Sequence, residues 1–280
     1  MAIVLGLITA LFFGSGDFFG GVSAKRTSIL YVVGFSHLVG LVGAAVLAPF
    51  LADAFTWRDM GLGVIAGAIG GVGVALLYRG LARGPMVVVA PLTAIMSAAV
   101  PAAWGVIDGE TFSGWSWLGI ALALVAIGLT STPAKNTSDS APVTARVVFE
   151  SLIAGTCFGA MFIVYDITAD ATAPWPVVGA RILTAGVLIT IIFTMRRGGV
   201  ESARTATWPI VLTGLFDTGS NAIFLYATTI GDVAIVSVLS ALYPASTVLL
   251  ARFVLDERIS RFQLAGLFAA LTASILIAAG

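Results

Sequence analysis

The sequence has too few charged residues for a soluble protein of its length. Charged residues make up 10% of the 280 residues, whereas soluble domains carry about 25%. Apolar residues reach 59% and the mean hydropathy is +1.06, so the chain cannot supply the polar surface that water requires. We therefore expect an integral membrane protein.

Cysteine and histidine are almost missing as well. The single Cys157 excludes a disulfide within the chain and a cysteine-based metal cage, and the single His37 cannot build a histidine-rich zinc site. No Walker loop, nucleophile elbow or dinucleotide fingerprint is present, so we expect neither an enzyme nor a bound cofactor. Basic and acidic residues balance at 14 each, and nothing points to nucleic acid.

Apolar runs of membrane-spanning length follow one another along nearly the whole chain. A helix that crosses the bilayer needs about 20 apolar residues, so ten crossings use about 200. The runs are continuous rather than alternating, which favours helices over barrel strands. We predict spans at 2–23, 29–51, 59–81, 85–106, 114–132, 147–168, 175–195, 207–228, 232–254 and 261–279.

Two stretches of the sequence are copies of each other. Residues 84–119 align with residues 231–266 at a constant offset of 147, without a gap. The segment 133–146 is polar and contains prolines, as linkers do. We predict a first five-helix repeat at 1–132, this linker, and a second repeat at 147–280. Because five is odd, the second copy must be inverted, as in many secondary transporters.

The basic residues in the connections support this arrangement independently. Connections 1–2, 3–4, 5–6, 7–8 and 9–10, together with the span ends beside them, hold twelve Lys and Arg, whereas the other four hold only Arg58. Cytoplasmic connections carry an excess of basic residues. We therefore expect the linker in the cytoplasm and both termini outside.

The two copies resemble a known transporter unit. DGETFSGWSWLG (108–119) and LDERISRFQLAG (255–266) each combine an acid, a Ser three residues later and an apolar span that opens near a Gly. This pattern resembles the EamA unit of the drug/metabolite transporter superfamily. The resemblance implies ten helices, two inverted EamA units and a central cavity for a small metabolite, amino acid, nucleotide sugar or drug. It also implies cytoplasmic termini, opposite to the orientation that the loop charges predict.

Ionisable side chains at membrane depth are the first candidates for a transport site, because each costs about 2.5–3.5 kcal/mol to insert. Asp17 lies in the glycine-rich stretch GSGDFFGG of the first span, and glycine-interrupted spans point to transporter binding sites. The alternative is that Asp17 lies near the headgroups or pairs with Lys25.

A polar stripe on the eighth span is the second candidate. Its members follow helical spacing and therefore share one face, which must contact protein or water rather than lipid. The alternative to cavity lining is hydrogen bonding between helices. The stripe consists of Thr213, Asp217, Asn221, Phe224 and Thr228.

Three further side chains belong with these candidates. Arg181 suits a carboxylate or phosphate by its bidentate fork, and an arginine at this place recurs in EamA units; the alternatives are a structural pair with Asp166 or Asp170 and snorkelling. His37 is a ligand or proton carrier, or a packing residue. Tyr243 either stacks on the substrate or packs against other side chains. The neighbouring Pro244 frees a backbone carbonyl and kinks the ninth span.

We therefore predict a secondary transporter of the cell membrane that moves a small organic solute by alternating access, with proton-coupled export. Without an ATP-binding domain, concentrating transport must be ion-coupled. Two deep acids facing one deep arginine favour a zwitterion or cation, which can be a metabolite, an amino acid or a drug. The alternatives are an uncoupled facilitator and a membrane binding or sensor protein that transports nothing.

The cavity is expected between the repeats, lined by spans 1 to 4 and 6 to 9, with spans 5 and 10 peripheral. The expected partners are the substrate, protons and the bilayer, and the chain acts as a monomer or homodimer. Proton coupling is assigned to Asp17 and Asp217, because burial disfavours the charged form of a carboxyl group. The predicted substrate-binding side chains are Asp17, Asp217, Asn221, Arg181, His37 and Tyr243.

Overall fold

The computed structural model describes residues 1–24, 27–83, 86–130, 144–194, 207–254 and 260–279. These residues form α-helices joined by short connections, with a single 3-10 turn at Asp170–Thr172. The helices are α1 (Ala2–Ala24), α2 (Ile29–Leu51), α3 (Trp57–Arg83), α4 (Met86–Asp108), α5 (Gly114–Thr130), α6 (Ala145–Asp166), α7 (Trp175–Thr194), α8 (Thr207–Thr228), α9 (Val233–Ser240), α10 (Tyr243–Val254) and α11 (Arg261–Ala279).

Six of these helices are long and apolar enough to cross a membrane, namely α1, α2, α3, α6, α7 and α8. Shorter apolar helices lie in α4, α5, α11 and the α9–α10 segment. Helices satisfy their own backbone hydrogen bonds, which a segment in lipid requires. The chain is therefore an all-helical, multi-pass membrane protein.

The helix boundaries follow the predicted apolar runs to within about three residues, except in the ninth run. That run, predicted as one span at 232–254, is divided into α9 and α10 by a turn at residues 241–242. Pro244 has no N–H to donate to the Ser240 carbonyl, and the Ala245 N–H bonds to the Leu242 carbonyl at 2.9 Å. The kink predicted at Pro244 is thus a complete break in the helix.

The predicted linker falls almost entirely on residues 131–143, which lie outside the described residues. Its last residues begin α6, where the Val147 N–H donates to the Thr144 hydroxyl at 3.3 Å. This side-chain oxygen satisfies a backbone donor that the first helical turn leaves open.

The packing of the helices interlocks the two halves of the chain. α5 packs against α11 and α2 against α7, while α1 packs against α8 and α3 against α6. α4 packs against α6 and α9 against α1, and α3 packs against α7 and α2 against α8. When every helix is exchanged for its counterpart in the other half, α5–α11 and α2–α7 turn into themselves, and each of the other pairings turns into another observed one.

Glycines on α3 permit the closest of these approaches. A Cβ added to Gly63 or Gly67 would overlap backbone atoms of Pro176 or Ala180 on α7. Small residues allow membrane helices to pack with their backbones in contact. This contact places α7 in the interior between the halves, together with Arg181, which follows Ala180.

Glu110 links the two halves at the start of α9. Its Oε1 accepts a hydrogen bond from the Val233 N–H at 2.9 Å and its Oε2 accepts one from Ala234 at 3.4 Å. At the start of α5 the Ser116 N–H donates to the Ser113 hydroxyl, at 3.1 Å. Glu110 instead supports the N-terminus of α9, where negative charge is favourable.

The ionisation of Glu110 makes stability depend on pH. Burial first, and then the negative charge of Asp232, raise the pKa of Glu110 to about 7 from its usual 4.5, against the opposing effect of its two N–H donors. The folded protein then binds a proton that the unfolded chain releases, so the stabilisation is full below pH 4.5 and is lost as the pH rises through about 7.

We expect the melting temperature in detergent to fall between about pH 5 and about pH 8, and to fall less in Glu110→Gln, which carries no titrating charge. Asp53→Asn, at an exposed position after α2, is the matched control and should fall like the unsubstituted protein. Equal slopes for the two variants would contradict the assignment.

Candidate substrate cavity

A cavity lies between the two halves of the chain. Its empty space, including the open mouth, amounts to about 990 Å³. Helices α1 to α4 and α6 to α10 line it, whereas α5 and α11 contribute none of its described lining residues. This is the set of spans that the sequence predicted. The six side chains assigned to substrate binding all lie on its wall: Asp17, His37, Arg181, Asp217, Asn221 and Tyr243.

Arg181 is the centre of a buried polar network that joins α2, α7 and α8. Its Nη2 lies 2.7 Å from Oδ2 of Asp217. Its Nε donates to the Thr218 hydroxyl at 2.9 Å, and its Nη1 lies 3.1 Å from Nε2 of His37. The structural pairs that the sequence suggested, with Asp166 or Asp170, are therefore wrong. The partner of Arg181 is Asp217, and the ion pair is held inside the protein rather than at the surface.

This network determines the protonation state of His37. An arginine N–H can only donate, so Nε2 of His37 must accept and carries no proton. Nδ1 then carries the proton and donates to the Thr184 hydroxyl at 2.8 Å, while that hydroxyl donates to the Ala180 carbonyl at 3.0 Å. His37 is therefore a neutral side chain that helps to orient Arg181.

Asp17 is the carboxylate of the cavity that has no such partner. Within the described part of the chain its side chain makes neither a hydrogen bond nor an ion pair, and it is exposed to the cavity. The neighbouring Gly16 packs on Asp217, because a Cβ there would lie 3.2 Å from the Asp217 backbone nitrogen. The two acids are thus close in space, but only Asp217 is neutralised.

Asn221 carries an unused acceptor beside the same space. Its Nδ2 donates to the Asp217 carbonyl at 2.7 Å, one turn earlier on α8. Its Oδ1 is buried and has no hydrogen-bond partner among the described residues. Ser240, at the break between α9 and α10, likewise lines the cavity with a buried hydroxyl oxygen that no described group bonds. Buried polar atoms without partners are costly, which marks these two as positions for a ligand or water.

Aromatic rings form one wall of the cavity. Phe13, one turn before Asp17, lies 6.0 Å from the ring of Phe162 and 6.4 Å from that of Tyr243. The predicted stripe on α8 is corrected here. Thr213, Asp217 and Asn221 line the cavity, but Phe224 is fully buried and stacks on Phe162 at 4.1 Å, and Thr228 is not among the lining residues.

Several residues that line the cavity or hold its side chains in place were not predicted from the sequence. Thr184 and Thr218, which hold His37 and Arg181, carry only hydroxyl groups, and threonine in membrane helices commonly bonds its own backbone. A usable signal existed for Thr184 and for Phe13, since each lies one turn from a predicted site residue on the same helix. No comparable signal existed for Ser240, whose position depends on the break after it.

Comparison with known proteins agrees with this architecture. Residues 146–279 match the model of the EamA-like transporter family. A solved crystal structure shares the fold over 98% of this chain and 95% of its own, with a TM-score of 0.79 at 15% sequence identity, a likeness that shows the fold alone. A comparison with proteins of curated function found no match.

The family match falls on the second of two similar stretches. The apolar helices extend through both halves, and the residue pattern that resembles the EamA unit occurs in each. We conclude that the chain is a multi-pass transmembrane transporter of the drug/metabolite transporter superfamily, and that its residues 146–279 match the EamA-like transporter family.

Proposed function

We propose that this protein is a secondary transporter of the cell membrane that moves a small organic solute by alternating access, in exchange for protons. The observation that carries the proposal is the cavity between the halves, in which Asp17 faces open space without a partner beside the Arg181–Asp217 ion pair. Ionisable groups at membrane depth are rare and mark substrate and ion pathways.

The alternating-access mechanism in this proposal rests on two inverted five-helix units, at 1–132 and 147–280, that form ten spans. The exchangeable helix pairings support it, because two related halves can adopt each other's arrangement and so open the cavity to either side. The broken α9–α10 segment supports it as well, since discontinuous helices at the repeat interface hold substrates in transporters.

We assign proton coupling mainly to Asp17. Protonating Asp217 would break its ion pair with Arg181, whereas Asp17 can gain or lose a proton without disturbing a partner. The groups within electrostatic range of Asp17 are Asp217 from α8 and Tyr243 from α10, and α2 adds the neutral His37 to the same cavity. The substrate and the proton would then bind to the Asp17 carboxylate alternately.

The test is proton movement in proteoliposomes that contain a trapped pH-sensitive dye. A panel of amines, amino acids, sugars and nucleosides is added outside, with and without an imposed pH gradient and against protein-free vesicles. A coupled transporter changes the internal pH only with its substrate and accumulates that substrate when a gradient is present. Uptake that ignores the gradient would indicate a facilitator, and saturable binding without uptake would indicate a sensor.

The loop charges predict the orientation of these units in the membrane. We expect both termini outside and the linker in the cytoplasm, because twelve of the thirteen basic residues in the connections and at the adjoining span ends lie on the linker side. A fluorescent protein fused after Gly280 should stay dark, and alkaline phosphatase fused there should be active. Fluorescence of the first fusion with an inactive second one would contradict this orientation and favour the usual one of the superfamily.

A further inference from the structure

We propose that the cavity takes an organic monocation, specifically a protonated amine attached to a flat apolar group, rather than a zwitterion or an anion. The proposal rests on the proposed transport function and names the substrate class of that site. It follows from three independent features of the cavity wall: its charge balance, its hydrogen-bonding groups and its aromatic surface.

The charged groups on the wall leave a single negative charge. Arg181 and Asp217 neutralise each other at 2.7 Å, and His37 is neutral because its Nε2 accepts from Arg181. Asp17 is the remaining carboxylate among the described lining residues, and it has no partner there. A monocation restores the charge balance in a cleft whose low-dielectric walls focus the field, whereas a zwitterion leaves the excess negative charge in place and an anion increases it.

Arg181 is not free to hold a substrate carboxylate. Its Nε donates to Thr218, its Nη1 to His37 and its Nη2 approaches both Oδ2 and, at 3.4 Å, the carbonyl of Asp217. A substrate carboxylate would have to displace Asp217 from Arg181. The buried Asp217 carboxylate would then be left without its partner, which is unfavourable. The guanidinium therefore belongs to the wall and orients Asp217.

The unused hydrogen-bonding groups call for a donor. The Asp17 carboxylate and the Asn221 Oδ1 can only accept, and the second of these is buried without a partner among the described residues. Helices α1 and α8 run antiparallel, because Gly16 lies against Asp217 while Phe12 lies against Gly219. Asp17 thus lies at the level of Asp217, and Asn221 lies one turn further along α8, so an ammonium group bound to Asp17 has the Asn221 acceptor as its neighbour.

The aromatic wall suits the rest of such a molecule. Phe13 occupies the level one turn from Asp17, and its ring contacts Phe162 and Tyr243 at centroid distances of 6.0 and 6.4 Å. Aromatic faces attract cations and stack with flat apolar groups. A short amine with one ring places its charge at Asp17 and its ring against these three side chains.

The experiment uses four ligands that share a phenyl ring and differ in charge: phenethylamine (cation), phenylalanine (zwitterion), 3-phenylpropionate (anion) and 2-phenylethanol (neutral). Binding to the purified protein is measured by calorimetry at neutral pH. We expect saturable binding of phenethylamine that is at least about tenfold tighter than that of the other three ligands. A single well-placed charge interaction is enough to supply a tenfold difference in affinity. Phenylalanine or 3-phenylpropionate binding as tightly as phenethylamine, or no saturable binding of phenethylamine, would overturn the proposal.

Two variants locate the effect. Asp17→Asn should weaken phenethylamine binding by at least about tenfold and leave 2-phenylethanol unchanged, which a general loss of structure would not do. Asn221→Leu should weaken phenethylamine more than its N-trimethyl derivative, which has no N–H to donate. Asp53→Asn, outside the cavity, should bind like the unsubstituted protein. Unchanged phenethylamine binding in Asp17→Asn also overturns the proposal.

The same ligands separate this proposal from the transport function. If phenylalanine rather than phenethylamine binds and moves into proteoliposomes, the substrate class is wrong while transport stands. If phenethylamine binds through Asp17 but neither it nor a proton crosses the membrane, the site stands while transport is wrong.

Discussion

The substitution Asp17→Asn should reduce gradient-driven transport to the level of protein-free vesicles. Asparagine keeps the shape of the side chain but cannot carry a proton or attract a cation. Because Asp17 has no partner among the described residues, removing its charge orphans no other group, and we expect the melting temperature to change by no more than a surface substitution changes it. The measurement is substrate uptake from about pH 6 to about pH 8, with an imposed pH gradient.

Two further variants make this result specific. Asp17→Glu restores a carboxyl group and should recover part of the coupled transport, with an altered pH profile because the acid reaches further into the cavity. Asp53→Asn, at an exposed position, should transport normally. If Asp17→Asn transports normally over the whole pH range, Asp17 is not the coupling site and the proton must use another group.

Breaking the Arg181–Asp217 pair should be the most destabilising single change in the cavity. Arg181→Gln leaves the Asp217 carboxylate without its partner 2.7 Å away, and removing one partner of a buried pair costs about 3–5 kcal/mol. It also removes donors from Thr218 and His37. We expect a large drop in melting temperature in detergent, together with loss of transport.

The double substitution Arg181→Met with Asp217→Leu distinguishes a broken pair from a lost arginine. It removes both charges together, and apolar replacement of a buried pair is often neutral for stability, so it should be more stable than Arg181→Gln alone. Arg261→Gln on α11, at an exposed position, is the surface control and should change the melting temperature little. An Arg181→Gln protein as stable as this control would show that the pair contributes nothing.

The sequence by itself determined the class of the protein and the positions of its helices. The ends of α2, α8 and α11 coincide with the predicted runs at 29–51, 207–228 and 261–279, because bilayer thickness demands runs of this length and polar residues must interrupt them. It also indicated which spans line the cavity. Polar side chains at membrane depth must face protein or water, so the sequence favoured an interior position for Asp17 and Asp217, while for Arg181 it left snorkelling to the surface open.

Only the tertiary structure decided how these side chains pair. The sequence offered Asp166 and Asp170 among the alternatives for Arg181, but its partner is Asp217 on α8, and Glu110 supports a helix of the other half. Such pairs depend on how each helix is rotated and how closely its neighbour approaches. Close packing of small residues determines both, and periodicity does not encode them. The neutrality of His37, the isolation of Asp17 and the net charge of the cavity all follow from that packing.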